Sequence, residues 1–380
     1  PIRDGGGQPS PGRFAPPYRK GPLVRLGSRL IQIAFTWLPL FLDSLGTQQE
    51  DHPFPASALA EMREALAPPE LWNVEDGQPF HLQAISYLAR LAGDPDADYP
   101  LQVAAGVPLG VDEPTWLSPG VWPTKDELRG MEWAEEDPPE LLAHANYASA
   151  EVHADKIRDT FLKERDMGLV EGPYTAEEAA HRCGCLVTEL LPGAMAVTEE
   201  SDKFRTLFDG SVGNQNAYIR RNTAERTTAP TVHDAMHALH WCKEACRVST
   251  EASGSTEPIS LSLQSSLPET LTKEASGSLR PNVESPAWKS IQTNPGWVPP
   301  SLDEAWIILK ADFSMAHRRI KVLQKDWRYQ LAKLGNEYWI NKVGTYGIAS
   351  AQLYWGRFAA LLLRLTYDIF PSIDWGFVYV

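Results

Sequence analysis

A chain of 380 residues with 35 Lys and Arg against 49 Asp and Glu carries a formal charge of −14, which excludes a wholly basic nucleic-acid binder. Its 43% apolar content, including 12 Phe, 12 Tyr and 13 Trp, suffices for a sizeable core, and 31 prolines predict long irregular connections. Four cysteines are too few and too unevenly spaced for a secreted disulfide framework, so the expected location is intracellular, cytoplasmic or nuclear.

Residues 1–55 open with Asp4-Gly5-Gly6-Gly7 and a Pro-rich run, which predicts a disordered lead. Leu30 to Leu42 is apolar, but it is short for a membrane span and contains Pro39, so no membrane partner is expected. Residues 56–149 form a partly helical region. One helix is predicted over Ala58 to Leu66 with Ser57 as N-cap, and another over His81 to Leu91, ended by Gly93 and Pro95. Residues 111–140 are rich in Pro, Trp and acid and have no period.

Residues 150–245 are more regular. Glu151 to Met167 predicts an amphipathic helix with Ile157 and Phe161 on one face and Gly168 at its end. Leu169 to Pro173 predicts an extended exit. Lys203 to Phe208 alternates as a strand, with Lys203 and Arg205 on one face and Phe204, Thr206 and Phe208 on the other. Two cations on one strand face can clamp phosphate, and Arg offers bidentate geometry. A solvated edge strand has the same composition. Thr231 to Trp241 predicts a helix with His233, His237 and His240 on one side, read as a surface or interface face. Cys183-x-Cys185 and Cys242-x3-Cys246 are poor matches to structural zinc spacing.

Residues 246–300 are rich in Ser, Thr and Pro and predict an inserted low-complexity loop or linker. Residues 301–380 carry the densest pattern. Trp306 to Leu309 reads as a buried strand delivering Asp312, a carboxylate that needs a metal, a basic partner or water. Tyr329 to Leu334 and Glu337 to Val343 flank Gly335-Asn336, a two-residue turn with Gly first, and predict a hairpin. Gly344 to Ala351 opens a long apolar helix through Leu353, Arg357, Leu361 and Leu365, with Ser350 as its expected N-cap. Asp374 to Val380 predicts a closing strand. From Lys310 to Arg364 ten bases face only Asp312, Asp326 and Glu337, a locally basic segment compatible with phosphate binding.

A strand ending in Asp312, a hairpin, Tyr346-Gly347 entering a helix, and a strand ending in Tyr379-Val380 resemble, in that order, the palm of a retroelement reverse transcriptase. The strand with Lys203 and Arg205 resembles the fingers of that family. The resemblance covers residues 150 to 243 and 300 to 380. It implies an α+β fold, a partial fingers-and-palm, with 150–245 fingers-like and 301–380 a truncated palm. It also implies template-directed DNA synthesis through two Mg2+ ions about 3.5–4 Å apart. The implied partners are deoxynucleoside triphosphates and an RNA or DNA template with primer.

By the same resemblance Asp312 is the catalytic, metal-binding carboxylate. Lys203, Arg205, Phe313, His317, Tyr346 and Gly347 contact the nucleotide, with His317 where the family places an aromatic residue beneath the sugar. The sequence stops after Val380, where the family places an Asp-Asp pair, so a fragment with little activity of its own is expected. A non-catalytic nucleic-acid-binding relic and an unrelated interaction protein are the alternatives.

Overall fold

The computed structural model describes residues 23–44, 55–74, 77–127, 137–200, 203–226 and 313–370. By internal contacts the chain divides into one unit of residues 1–230 and 314–380 and a second of 231–313. The architecture below is that of the first unit. Several predicted features lie outside the described residues: the strand at 306–309, Asp312, the histidine-bearing helix at 231–241, the 246–300 segment, Cys242, Cys246 and the closing strand.

The disordered lead expected for residues 1–55 is corrected at its centre, where helix α1 (Val24–Ser44) forms. Leu26, Leu30, Ile33 and Trp37 recur at helical spacing there, a period masked by the surrounding Pro and Gly. Leu23 and Ile33 are buried, and Leu23 packs in one cluster with Leu88, Ala89, Leu361 and Leu365. No described helix is long and apolar enough to cross a membrane.

Helix α2 (Ala56–Leu66) begins before the predicted site: Pro55 occupies the cap position, and Ser57 lies inside the first turn. Helices α3 (Leu82–Ala92) and α4 (Tyr99–Ala105) follow. The single helix predicted from Glu151 is two, α5 (Ala148–Val152) and α6 (Ala154–Asp166), broken at His153. Ile157 and Phe161 are buried on α6 as the spacing requires. Strand β1 (Val170–Tyr174) leads to α7 (Ala176–Cys183), which starts on a capping box of Thr175 and Glu178. Strands β2 (Ala194–Glu200) and β3 (Lys203–Asp209) form an antiparallel hairpin, and α8 (Gln215–Asn222) follows.

After the 313–330 segment come β4 (Leu331–Leu334), β5 (Glu337–Asn341) and the long α9 (Ala349–Ile369). β4 and β5 pair in the expected hairpin, with Leu334 opposite Glu337 and Gly335 at φ 59°. That positive φ is where a turn of this kind wants glycine.

The fold is therefore mixed, α+β. β5 is the centre of a three-stranded antiparallel sheet in the order β1-β5-β4. Residues from both sides of the 231–313 unit meet there, with Val170 opposite Asn341 and Glu171 opposite Ile340. Trp339 is wholly buried on β5, its ring centroid 5.4 Å from that of Phe161. β2 and β3 form a separate two-stranded sheet, and Pro192, just before β2, makes an isolated parallel bridge to Leu331 on β4.

The basic segment acquires a different meaning in three dimensions. Six of its ten cations are held by acids from upstream: Arg318 by Glu164, Lys325 by Glu113, Arg328 by Asp112, Lys342 by Glu171, Arg357 by Asp96 and Arg364 by Asp94. The Arg357 pair is buried and bidentate at 2.6 and 2.8 Å, and Arg357 also donates to the Trp116 carbonyl at 3.1 Å. These charges hold the acidic front of the chain to its basic end.

Candidate functional site

The strand that carries the predicted phosphate clamp alternates as expected. Phe208 is buried, Phe204 and Thr206 are half-buried on the same face, and Arg205 is exposed on the other. Phe204 packs edge-on against His153, with Lys156 Nζ 5.3 Å from its ring centre. At the far end of β3 the chain turns through Gly210. Asp209 accepts from Tyr147 Oη at 2.7 Å and from the Ser211 amide at 2.9 Å. Burial pushes the Asp209 carboxyl up, but these donors outweigh it and hold it below the usual range.

Tyr346 and Gly347 lie against this end of β3. The Phe208 amide donates to the Tyr346 carbonyl at 3.3 Å. A Cβ added at Gly347 would stand 1.7 Å from the Phe208 carbonyl oxygen, and Gly347 has φ 96°. Both the close approach and the backbone angle require glycine. Tyr346 is 41% exposed, and its ring meets that of His317 edge-on at 5.1 Å between centroids. Burial lowers the His317 pKa, and neither of its ring nitrogens has a hydrogen-bond partner among the described residues. His317 is therefore a neutral plate beside Tyr346. Phe313 is exposed.

Thus β3, Tyr346, Gly347 and His317 come together from three separate stretches of sequence. Arg205 lies three residues before Phe208, roughly 10 Å along the strand at the usual rise. Asp312 lies outside the described residues, and the structure describes no side-chain position for Lys203.

The residue that sequence reading missed is Asn216. It is buried at the start of α8. Its Nδ2 donates to the Gly347 carbonyl at 2.8 Å and to Ser211 Oγ at 3.1 Å, while its Oδ1 accepts from the Ala349 amide at 2.8 Å. The cap of α9 is therefore supplied from 133 residues away. Ser350, the predicted cap, is buried within the first turn, and the cap position is Ile348. Nothing in the local sequence marks Asn216 as a residue that reaches across the fold.

The residues present were weighed against the magnesium implied by the resemblance. Among the described residues no group of three or more His, Cys, Asp or Glu is placed to hold a metal ion. Taken alone they do not fit a pair of magnesium ions. Cys183 is buried, and burial pushes its thiol up to about 12; burial likewise raises Cys185. Neither is predisposed to bind metal as thiolate.

The chain matches no family model, no curated protein and no solved structure.

Proposed function

We propose that this chain is the nucleotide-binding part of a retroelement reverse transcriptase, a partial fingers-and-palm built for template-directed DNA synthesis. One observation carries the reading: Gly347 is pressed against the Phe208 carbonyl at the end of the strand that bears Arg205. That contact places an exposed tyrosine ring beside His317 at the foot of a cationic strand. A planar aromatic surface suits a base or sugar, and a guanidinium on the adjoining strand suits the phosphates.

Within this reading Arg205 binds the triphosphate. Tyr346, its ring against that of His317, forms the floor under the nucleoside. Gly347 lets that floor approach β3. Asp312 is the carboxylate assigned to metal.

The test is titration of the 380-residue chain with a fluorescent deoxynucleoside triphosphate at several salt concentrations. Arg205→Ala weakens binding about tenfold or more, the scale of a charge-assisted hydrogen bond. It also makes affinity less salt-dependent. A folded chain that binds neither nucleotide nor primer–template, or an Arg205→Ala variant that binds as the parent does, refutes the proposal.

A further inference from the structure

Asn216 does more than fill a buried position. One amide holds three things that approach from different parts of the chain: the turn after β3 through Ser211, the Gly347 carbonyl, and the first amide of α9 at Ala349. Its own backbone amide donates to the Gly210 carbonyl at 2.8 Å, which fixes it to the end of β3. All the side-chain polar capacity in use points at the junction of the cationic strand and the Tyr346-Gly347 turn. A second polar tie across that junction is the bond from the Phe208 amide to the Tyr346 carbonyl, which at 3.3 Å is long.

We infer that Asn216 is a positioning residue that sets the distance between the phosphate-binding strand and the aromatic floor of the nucleotide site, so that its loss weakens nucleotide binding without unfolding the chain. The inference rests on the nucleotide-binding reading above. The two ends of a nucleotide are recognised by groups on different segments, Arg205 on β3 and Tyr346 before α9, so affinity depends on the spacing between them. A misplacement of about 1 Å in such a site is costly even where no contact with ligand is removed.

The chemistry of the amide separates positioning from stability. In Asn216→Asp the acceptor that caps α9 remains, and its negative charge suits a helix N-terminus. The donor to Gly347 is replaced by a carboxylate oxygen facing a carbonyl oxygen, which repels. Asn222→Asp is the control on the same helix. There Nδ2 donates to the Val111 carbonyl at 2.8 Å and the Gly110 carbonyl at 3.2 Å, at the other end of α8 from Asn216.

The experiment measures thermal melts, binding of a fluorescent deoxynucleoside triphosphate, and amide hydrogen exchange on the full chain. For Asn216→Asp the expected results are a melt within about 4 °C of the parent, affinity at least about five-fold weaker, the size of one hydrogen bond, and faster exchange at Phe208. Asn222→Asp binds as the parent does. Equal affinity in Asn216→Asp and the parent, or equal weakening in both variants, overturns the inference.

Should Asn216→Asp fail to fold, the unaltered chain decides. Nucleotide slows exchange at Phe208 and Ala349 together if Asn216 couples them, and protection of one without the other overturns the coupling. A parent chain that binds no nucleotide refutes the functional reading instead, and unchanged exchange at Phe208 in Asn216→Asp then refutes the positioning as well.

Discussion

Gly347→Ala is the sharpest perturbation of this structure. The new Cβ would lie 1.7 Å from the Phe208 carbonyl oxygen and 2.9 Å from its carbon. Carbon and oxygen tolerate about 3.3 Å, so the turn and β3 must separate by ~1.6 Å. At that separation the Asn216 bond to Gly347, now 2.8 Å, and the Phe208 bond to Tyr346, now 3.3 Å, both break. Each contributes about 1 kcal/mol. The φ of 96° at Gly347 adds strain of roughly 1–2 kcal/mol for a residue with a side chain. The total is about 3–4 kcal/mol, or a fall in melting temperature of roughly 6–15 °C for a domain of this size. Gly335→Ala isolates the strain, because Gly335 has φ 59° but nothing within 4 Å of an added Cβ. Thermal melts of the two variants by circular dichroism should therefore differ, with Gly347→Ala the lower, and nucleotide binding should fall only in Gly347→Ala. Equal melts for the two variants would show that Gly347 does not press on β3, and the site geometry would fall with it.

Arg357→Met leaves the Asp96 carboxylate buried without its partner and should cost about 3–5 kcal/mol in urea unfolding. Adding Asp96→Leu should recover most of that loss, and a double variant as unstable as the single one would show that the charges do not answer each other. Burial raises the Glu225 carboxyl above its ordinary value despite hydrogen bonds from the Ser118 amide and hydroxyl. A raised folded-state pKa contributes stability that is complete below the unfolded pKa and is lost as pH rises through the folded value. Glu225→Gln should therefore flatten the decline in melting temperature above pH ~4.5, and an unchanged profile would remove Glu225 as its cause. Alkylation at pH 8 followed by mass spectrometry should label Cys185 well before the buried Cys183, whose thiol is pushed up to about 12; equal rates would contradict the burial.

Sequence reading succeeded where a local period or a turn decides the structure. The Gly335 hairpin, the alternation of β3 and the buried face of α6 all follow from residues within a few positions of one another. It failed where the deciding partner is remote. Ser57 and Ser350 are good capping residues placed one or two positions inside their helices; Pro55 begins the first, and Asn216 caps the second from another segment. The cations from Arg318 to Arg364 read as a locally basic segment because the upstream acids that pair with six of them lie 154 to 270 residues earlier. The helix at Val24–Ser44 was hidden by composition averaged over a lead rich in Pro and Gly. Of the candidate site, Tyr346, Gly347 and His317 were singled out by the resemblance and lie together in the structure, whereas the amide that ties Gly347 to β3 was not legible.

The pairing of an acidic front with a basic end has a practical consequence for anyone trimming the chain. A fragment begun near residue 150 would keep Arg205, Asn216, His317, Tyr346 and Gly347. It would also strip Lys325, Arg357 and Arg364 of Glu113, Asp96 and Asp94. Phe358 and Tyr354 would lose Tyr99, Leu82 and Val103, which now share their cluster. Such a piece presents a greasy, cationic flank that the longer chain keeps covered. It would retain DNA on a column or in a gel shift through side chains remote from β3, and its apparent affinity would be an artefact of the cut.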